Sequence, residues 1–204
     1  MTIQDGVAFA EAWFPFFVDH ARERGHELAE MMTDCAREEL LNSHAARHMR
    51  SFGRRRHPHF WARCEWEDVD ISFGQAKGKF PVTPSAWNDE WDRGNTGDLG
   101  IIEAKLVYQH LPHGKALIER MTQQLRQTAA KVPERGVGAM LGMVWWLSYA
   151  GEPPDRVLPL LTGYTPLAGG FQLVGHADTG DIWPITNGGR ARLDVGLFRL
   201  NGQQ

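Results

Sequence analysis

The pattern of hydrophobic positions predicts helices over the first fifty residues of the chain. Asp5 can cap a helix that runs towards Trp13, and Pro15 is expected to break or restart it. A second helix is predicted from His26 to Met49, because apolar residues recur there at helical spacing. Its apolar stripe is formed by Leu28, Met32, Cys35, Asn42, Ala46 and Met49.

One carboxylate interrupts this predicted stripe. Glu39 falls in its middle, whereas Glu38 points about 100° away from it. A carboxylate on a buried face needs a partner or a metal ion, which makes Glu39 a candidate functional residue. The alternative is that the helix rolls so that Glu39 reaches solvent beside Asn42.

The pattern changes to extended structure after a basic loop at 51–58. Aromatic and β-branched residues alternate with polar ones from His59 to Phe73, with a bulge or tight turn expected between Glu67 and Asp68. The polar segment from Gly74 to Gly97, rich in Gly and Pro, is predicted to be a long loop.

The second half of the chain predicts a strand, a helix and a buried strand, in that order. The strand covers Leu99–Tyr108, and a helix follows from about Gly114 to Lys131. The run Val137–Tyr149 is so apolar that it suits a central strand covered on both faces. Closely spaced turn residues after position 150 predict short strands and hairpins.

These elements predict one α/β domain over 1–204. Its length suits a single domain, and no linker or repeat divides it. Its parts are a helical N-terminal part (1–50), a core that would carry the chemistry (59–150) and C-terminal strands and turns (151–204).

The net charge of −3 hides an uneven distribution of charged residues. With 22 basic and 25 acidic residues, the chain is not a polycation that binds nucleic acid by bulk charge. Residues 43–64, however, contain six arginines and no carboxylate. This stretch is a candidate phosphate-binding surface, or alternatively a solvated loop that pairs with the acidic N-terminal helices.

The cysteines and the N-terminus indicate a cytoplasmic protein. Two cysteines, Cys35 and Cys64, are too few for a disulfide framework and lack the spacing of metal ligands. No secretory signal is recognised at the N-terminus, and no apolar run is long enough to cross a membrane. We therefore expect a reducing, cytoplasmic location and no membrane partner.

A pair of charged residues on a predicted strand points to metal chemistry. Glu103 and Lys105 are two positions apart, so their side chains leave the same face of the strand. Burying these charged groups costs free energy unless they are paired with opposite charges or take part in the function of the protein. Asp70, from a neighbouring strand, can complete an oxygen site for Mg²⁺, with the carbonyl of Ala104 as a further ligand.

The segment from Asp98 to Tyr108, which contains Glu-Ala-Lys, resembles the third-strand motif of the PD-(D/E)xK nuclease superfamily. The resemblance covers roughly residues 26–150 and implies a restriction-endonuclease-like mixed sheet flanked by helices, built on an αβββαβ core. It implies that Asp70, Glu103 and Ala104 bind Mg²⁺, for which Mn²⁺ can substitute. It also implies that Lys105 assists catalysis and that Glu39 is the helix carboxylate.

The identity of the strand aspartate stays open at this point. No proline precedes Asp70, and the 32 residues between Asp70 and Glu103 exceed a simple hairpin. Asp98, Glu65 or Asp68 could take its place, depending on where the strands begin and where the bulge lies.

The expected function is a metal-dependent nuclease that hydrolyses phosphodiester bonds, with DNA rather than RNA as substrate. Arg54, Arg55 and Arg56 would contact the phosphates. The alternative is a non-catalytic binding protein, an immunity or regulatory partner on a nuclease-like scaffold. Convergence of the Asp70, Glu103 and Lys105 side chains to within about 5 Å would favour the nuclease.

Overall fold

A computed structural model describes most of the predicted elements. The described residues are 5–35, 38–66, 69–76, 96–108, 120, 123, 124, 126, 127, 139–149, 171–177, 183–184 and 190–200.

Three helices form the N-terminal part of the chain. They are α1 (Gly6–Glu23), α2 (Gly25–Cys35) and α3 (Glu38–Arg54). The predicted cap is confirmed, because an Asp5 carboxylate oxygen accepts the backbone N–H groups of Val7 at 2.8 Å and Ala8 at 3.1 Å. Of the helices in the described ranges, none is both long and apolar enough to span a bilayer.

The prediction that Pro15 breaks the first helix is wrong. Helix α1 continues through Pro15, and both Pro15 and Glu11 are exposed, so the carbonyl that loses its helical donor lies on the solvent side. Trp13 and Phe17 are fully buried on the other side of the helix. Burying each such side chain contributes roughly 1.5–3 kcal/mol, which together offsets the cost of about 3 kcal/mol for an internal proline.

The predicted helix from His26 to Met49 is two helices in the structure. Helix α2 ends at Cys35 and α3 begins at Glu38, with 36–37 outside the described residues. Helix α3 also extends to Arg54, so the first half of the predicted basic loop is helical. The buried residues of α3 are Leu41, Asn42, Ala45, Ala46, Met49, Phe52 and Gly53.

The strands form one mixed sheet. Their bounds are β1 (Phe60–Trp66), β2 (Val69–Ala76), β3 (Thr96–Tyr108), β4 (Met140–Tyr149), β5 (Phe171–Ala177), β6 (Trp183–Pro184) and β7 (Arg190–Leu200). The order across the sheet is β1-β2-β3-β4-β7-β5, with β6 paired to β7. The β3–β4 pair is parallel and the other pairs are antiparallel.

The sheet confirms the predicted α/β class and corrects two strand boundaries. Strand β4 is central, as its apolar run predicts, and described residues between 120 and 127 are helical, within the predicted crossover helix. Strand β2 extends to Ala76 and β3 starts at Thr96, so the ends of the predicted Gly74–Gly97 loop are strand. The remainder of that loop, 77–95, lies outside the described residues.

Helices α1–α3 cover one face of the sheet and form the hydrophobic core with it. Ile102 and Ala104 of β3 point into this core, together with Met143 of β4. Side chains alternate along a strand, so Glu103 and Lys105 point to the opposite face. Glu103 is only 2% exposed, which shows that this second face is also covered at β3.

Candidate functional site

Asp70, Glu103 and Lys105 meet at the second face of the sheet. The Lys105 Nζ atom lies 3.0 Å from Glu103 Oε1 and 3.4 Å from Asp70 Oδ2. The Lys105 side chain is 14% exposed, and the two carboxylates are largely buried. The three side chains therefore converge well within the limit of about 5 Å at which charges strongly affect each other's pKa.

The site lies where strands β2 and β3 separate. Their described ladder ends at the pair Ile71–Ile102, one position before Asp70 would face Glu103. Beyond that point the backbone N–H of Ala104 donates to Asp70 Oδ2 at 2.6 Å instead of to a carbonyl of β2. The Asp70 side chain thus takes the place of a backbone acceptor on β2. The two neighbouring strands are separated by an opening at this point.

A third carboxylate reaches this opening from α3, and it belongs to Glu38. Its Oε2 accepts the backbone N–H of Leu106 at 2.5 Å, and its Oε1 lies 3.4 Å from Lys105 Nζ. Alternate residues of a strand present their N–H groups to the same edge, so Ala104 and Leu106 are both satisfied by carboxylates along one edge of β3.

The predicted position of Glu39 on the buried stripe is wrong, because Glu39 is exposed. The predicted stripe joined residues of α2 to residues of α3, and the break between these helices changes its phase. Within α3 alone, Glu38 precedes the buried Leu41 and Asn42 by three and four positions and so shares their face. A stripe traced from Leu41 onwards would have indicated Glu38.

We call Glu38, Asp70, Glu103 and Lys105 the carboxylate cluster. Burial and mutual charge shift the pKa values of Glu38, Glu103 and Lys105. Burial raises the pKa of Glu103 to about 7, and the neighbouring Asp70 charge adds to this effect against the opposing charge of Lys105. Burial also raises the pKa of Glu38. For Lys105, burial favours the neutral amine, but the charges of the three carboxylates outweigh it and raise its pKa. The Lys105 side chain is therefore a positively charged ammonium group.

The donor set of this cluster fits part of a magnesium coordination sphere. Glu103 Oε2 is buried and accepts no hydrogen bond from the described residues, although the protonated carboxyl can donate to Asp70. The Ala104 carbonyl accepts from Lys105 Nζ at 2.5 Å. No three His, Cys, Asp or Glu side chains within the described ranges group closely enough to hold a metal by themselves. Mg²⁺ does not require such a cage, since it is commonly held by one or two carboxylates with waters and substrate phosphates.

Of the alternatives to Asp70, the structure describes only backbone positions, those of Asp98 and Glu65. Asp98 lies on β3 opposite Gly74, five residues before Glu103 and therefore about 16 Å along the strand. Asp68 and the side chain of Glu65 lie outside the described residues.

The predicted phosphate contacts Arg54, Arg55 and Arg56 are not brought to the carboxylate cluster. All three are exposed: Arg54 ends α3, sixteen residues and therefore about 24 Å from Glu38 along the helix axis, and Arg55 and Arg56 follow in the next turn. Arg54 Nε donates to the Phe60 carbonyl at 3.2 Å. This hydrogen bond holds Arg54 at the start of β1.

One arginine that sequence reasoning did not single out lies nearer to the cluster. Arg63 on β1 faces Ser72 on β2, and Ser72 is two positions from Asp70 on the same face of the sheet. Strand spacings put the Arg63 and Asp70 backbones about 8 Å apart. The composition of residues 43–64 indicated a basic segment, but only the strand register distinguishes Arg63 within it.

Comparison of the chain with protein-family models, with curated proteins and with solved structures gives no match.

Proposed function

We propose that this protein is a Mg²⁺-dependent nuclease of the PD-(D/E)xK type that hydrolyses phosphodiester bonds in DNA. The observation that carries the proposal is the Lys105 ammonium, 3.0 Å from Glu103 and 3.4 Å from Asp70, at the opening between β2 and β3. Buried ionisable groups cost stability, so their concentration at a gap in a sheet favours a functional role.

The order of the elements supports the same proposal. An antiparallel β1–β2–β3 meander is followed by helical residues and by β4, which is parallel to β3. Together with α3, this order corresponds to the αβββαβ core that the sequence resemblance implies. The restriction-endonuclease-like fold is part of the proposal.

Each member of the cluster has a distinct task in this proposal. Asp70 and Glu103 would hold Mg²⁺ through their carboxylates, with the Ala104 carbonyl as a further oxygen ligand. When bound, the metal supplies Lewis-acid stabilisation of the charge that develops on the scissile phosphate.

Lys105 would contact the substrate phosphate, and Glu38 would position Lys105. The Lys105 ammonium can donate hydrogen bonds to phosphate oxygens as their charge grows. Glu38 holds that ammonium at 3.4 Å and fixes the β3 backbone through Leu106, which makes it a positioning residue. Because Glu103 must lose its proton to act as a ligand, we expect activity to rise with pH through about 7.

The test is a cleavage assay on duplex DNA, single-stranded DNA and RNA, with Mg²⁺, with Mn²⁺ and with a chelator. We expect cleavage of DNA that depends on the metal and is lost in Lys105→Met and Glu103→Gln. Glu39→Gln is the matched control, because it removes an exposed carboxylate next to Glu38 on the same helix turn.

Three outcomes would contradict all or part of the proposal. Full activity of Lys105→Met or Glu103→Gln would exclude these residues from the site. No cleavage of any substrate by the folded wild-type protein with either metal would instead favour the non-catalytic binding protein. Preferential cleavage of RNA would retain the site but correct the substrate.

A further inference from the structure

Four arginines from two elements gather at the edge of the sheet formed by β1. Arg47, Arg50 and Arg54 follow one another at i, i+3 and i+7 on α3, so they share one face of that helix. Helix α3 packs on β1, which carries the fourth, Arg63. We call these four residues the arginine tract.

Arg50 is the centre of the tract. Its side chain is half-buried, and its buried Nε meets no hydrogen-bond acceptor among the described residues. Burial lowers the pKa of Arg50, and the positive charges of Arg54, Arg47 and Arg63 lower it further, against an opposing effect of Cys64. A guanidinium that is partly removed from water and surrounded by like charges is an unfavourable arrangement for a protein without a ligand.

The segment that carries the tract supplies no acidic side chain of its own. Residues 43–64 contain no Asp or Glu, although the chain as a whole has more acidic than basic residues. Arginine forms planar, bidentate hydrogen bonds with phosphate, and an anion bound here would offset the repulsion that Arg50 experiences from its neighbours.

The register of the sheet connects the tract to the carboxylate cluster. Arg63 faces Ser72 on the same sheet face as Asp70, about 8 Å away by strand spacings, and stacks loosely on Trp61 with 6.0 Å between guanidinium carbon and ring centre. From Arg63 the tract passes around the β1 edge to Arg50, Arg54 and Arg47. The three helical arginines alone extend over about 10 Å, which is more than one phosphate group occupies.

We propose that the arginine tract binds consecutive backbone phosphates of the nucleic acid strand that enters the carboxylate cluster. This inference rests on the proposed nuclease function, because it takes the occupant of the cluster to be a phosphodiester. It assigns substrate binding to Arg47, Arg50 and Arg63 beside Arg54, and it leaves Arg55 and Arg56 outside the tract.

The test is the salt dependence of binding, measured with a short fluorescein-labelled DNA duplex in the presence of chelator so that no cleavage occurs. Log affinity falls as log salt concentration rises. Each lost phosphate contact should make this slope less steep by about 0.9. We expect this loss in Arg50→Gln and in Arg63→Gln. Arg22→Gln is the control, since it removes the same charge from an exposed position beside Asp19 on α1.

A second variant separates phosphate binding from a purely structural role. Arg50→Lys keeps the charge but loses the bidentate geometry, so it should weaken binding with little change in the salt slope. A thermal melt of each variant verifies that the fold persists, and Arg63→Gln tests the tract even where substitution of Arg50 impairs folding.

The outcomes distinguish this inference from the proposed function. Salt slopes that are equal in the wild type and in folded Arg50→Gln and Arg63→Gln would contradict phosphate binding by the arginine tract, even if DNA is cleaved normally. Reduced slopes in a protein that cuts no substrate would support the tract and reject the nuclease. Displacement of the duplex by inorganic phosphate, at salt concentrations where chloride has no effect, would indicate a single anion site and overturn the tract.

Discussion

The backbone N–H of Leu106 donates to Glu38 Oε2 at 2.5 Å, across 68 positions of sequence. The N–H of Ala104 does the same with Asp70 Oδ2 at 2.6 Å. Two carboxylates therefore satisfy the edge of β3 at the point where β2 has left it. Because an unpaired buried N–H costs free energy, these side chains stabilise the fold in addition to their proposed roles in the active site.

Replacing Glu38 should destabilise the fold, whereas replacing Glu39 should not. Glu38→Ala leaves the Leu106 N–H without its acceptor and removes a charge from Lys105, so we expect the free energy of unfolding to fall by about 1–3 kcal/mol. Glu39→Ala should change it by less than about 0.5 kcal/mol. Urea denaturation of both variants measures the difference.

Glu38→Ala and Glu39→Ala are a matched pair of variants, because both glutamates lie in the first turn of α3 and interact with the same end of the helix dipole. Equal losses of stability in the two variants would mean that the Glu38–Leu106 contact contributes nothing. A larger loss of stability in Glu39→Ala would mean that Glu39, as the sequence pattern indicated, is the more important carboxylate.

The raised pKa of Glu103 predicts a pH-dependent stability. Between its ordinary pKa near 4.5 and its folded pKa of about 7, the native state keeps a proton that the unfolded chain releases. The free energy of unfolding therefore falls as pH rises through this window, by up to about 3 kcal/mol in all. In Glu103→Gln this contribution is absent, so the variant should gain stability relative to the wild type between pH 4.5 and 7.

The measurement is the difference between the two stability curves in chelator, because other groups titrate in the same range. Burial lowers the pKa of His48 to about 4, which makes stability rise with pH between 4 and 6.5 in both proteins. A difference curve that is flat from pH 4.5 to 7 would show that Glu103 has an ordinary pKa.

Magnesium should stabilise the folded protein through the same carboxylates. A ligand that binds only the native state adds about 2.7 kcal/mol at a hundred times its dissociation constant, so saturating Mg²⁺ at pH 8 should raise Tm. We expect no such rise in Asp70→Asn or Glu103→Gln and a normal rise in Glu39→Gln. A wild-type Tm that is unaffected by saturating Mg²⁺ and Mn²⁺ would contradict the proposed metal site.

The elements with strong local patterns are the ones that sequence predicts well. The apolar run at Met140–Tyr149 predicts a central strand, and the spacing of Glu103 and Lys105 predicts side chains on one face; both are found. The error at Pro15 has a tertiary cause, because buried aromatic residues on the far side of α1 outweigh the local preference of proline.

By itself, the sequence determined the side-chain alternation of β3, the buried strand after it and the uneven distribution of charge, since each follows from a period or a composition within a few residues. Only the tertiary structure decided that Glu38 rather than Glu39 reaches Lys105, because the break between α2 and α3 resets the helical phase. It likewise decided that Arg63 lies beside Asp70 while Arg54 lies at the far end of α3. Strand register and helix length set these distances, and both depend on contacts between residues that are far apart in the chain.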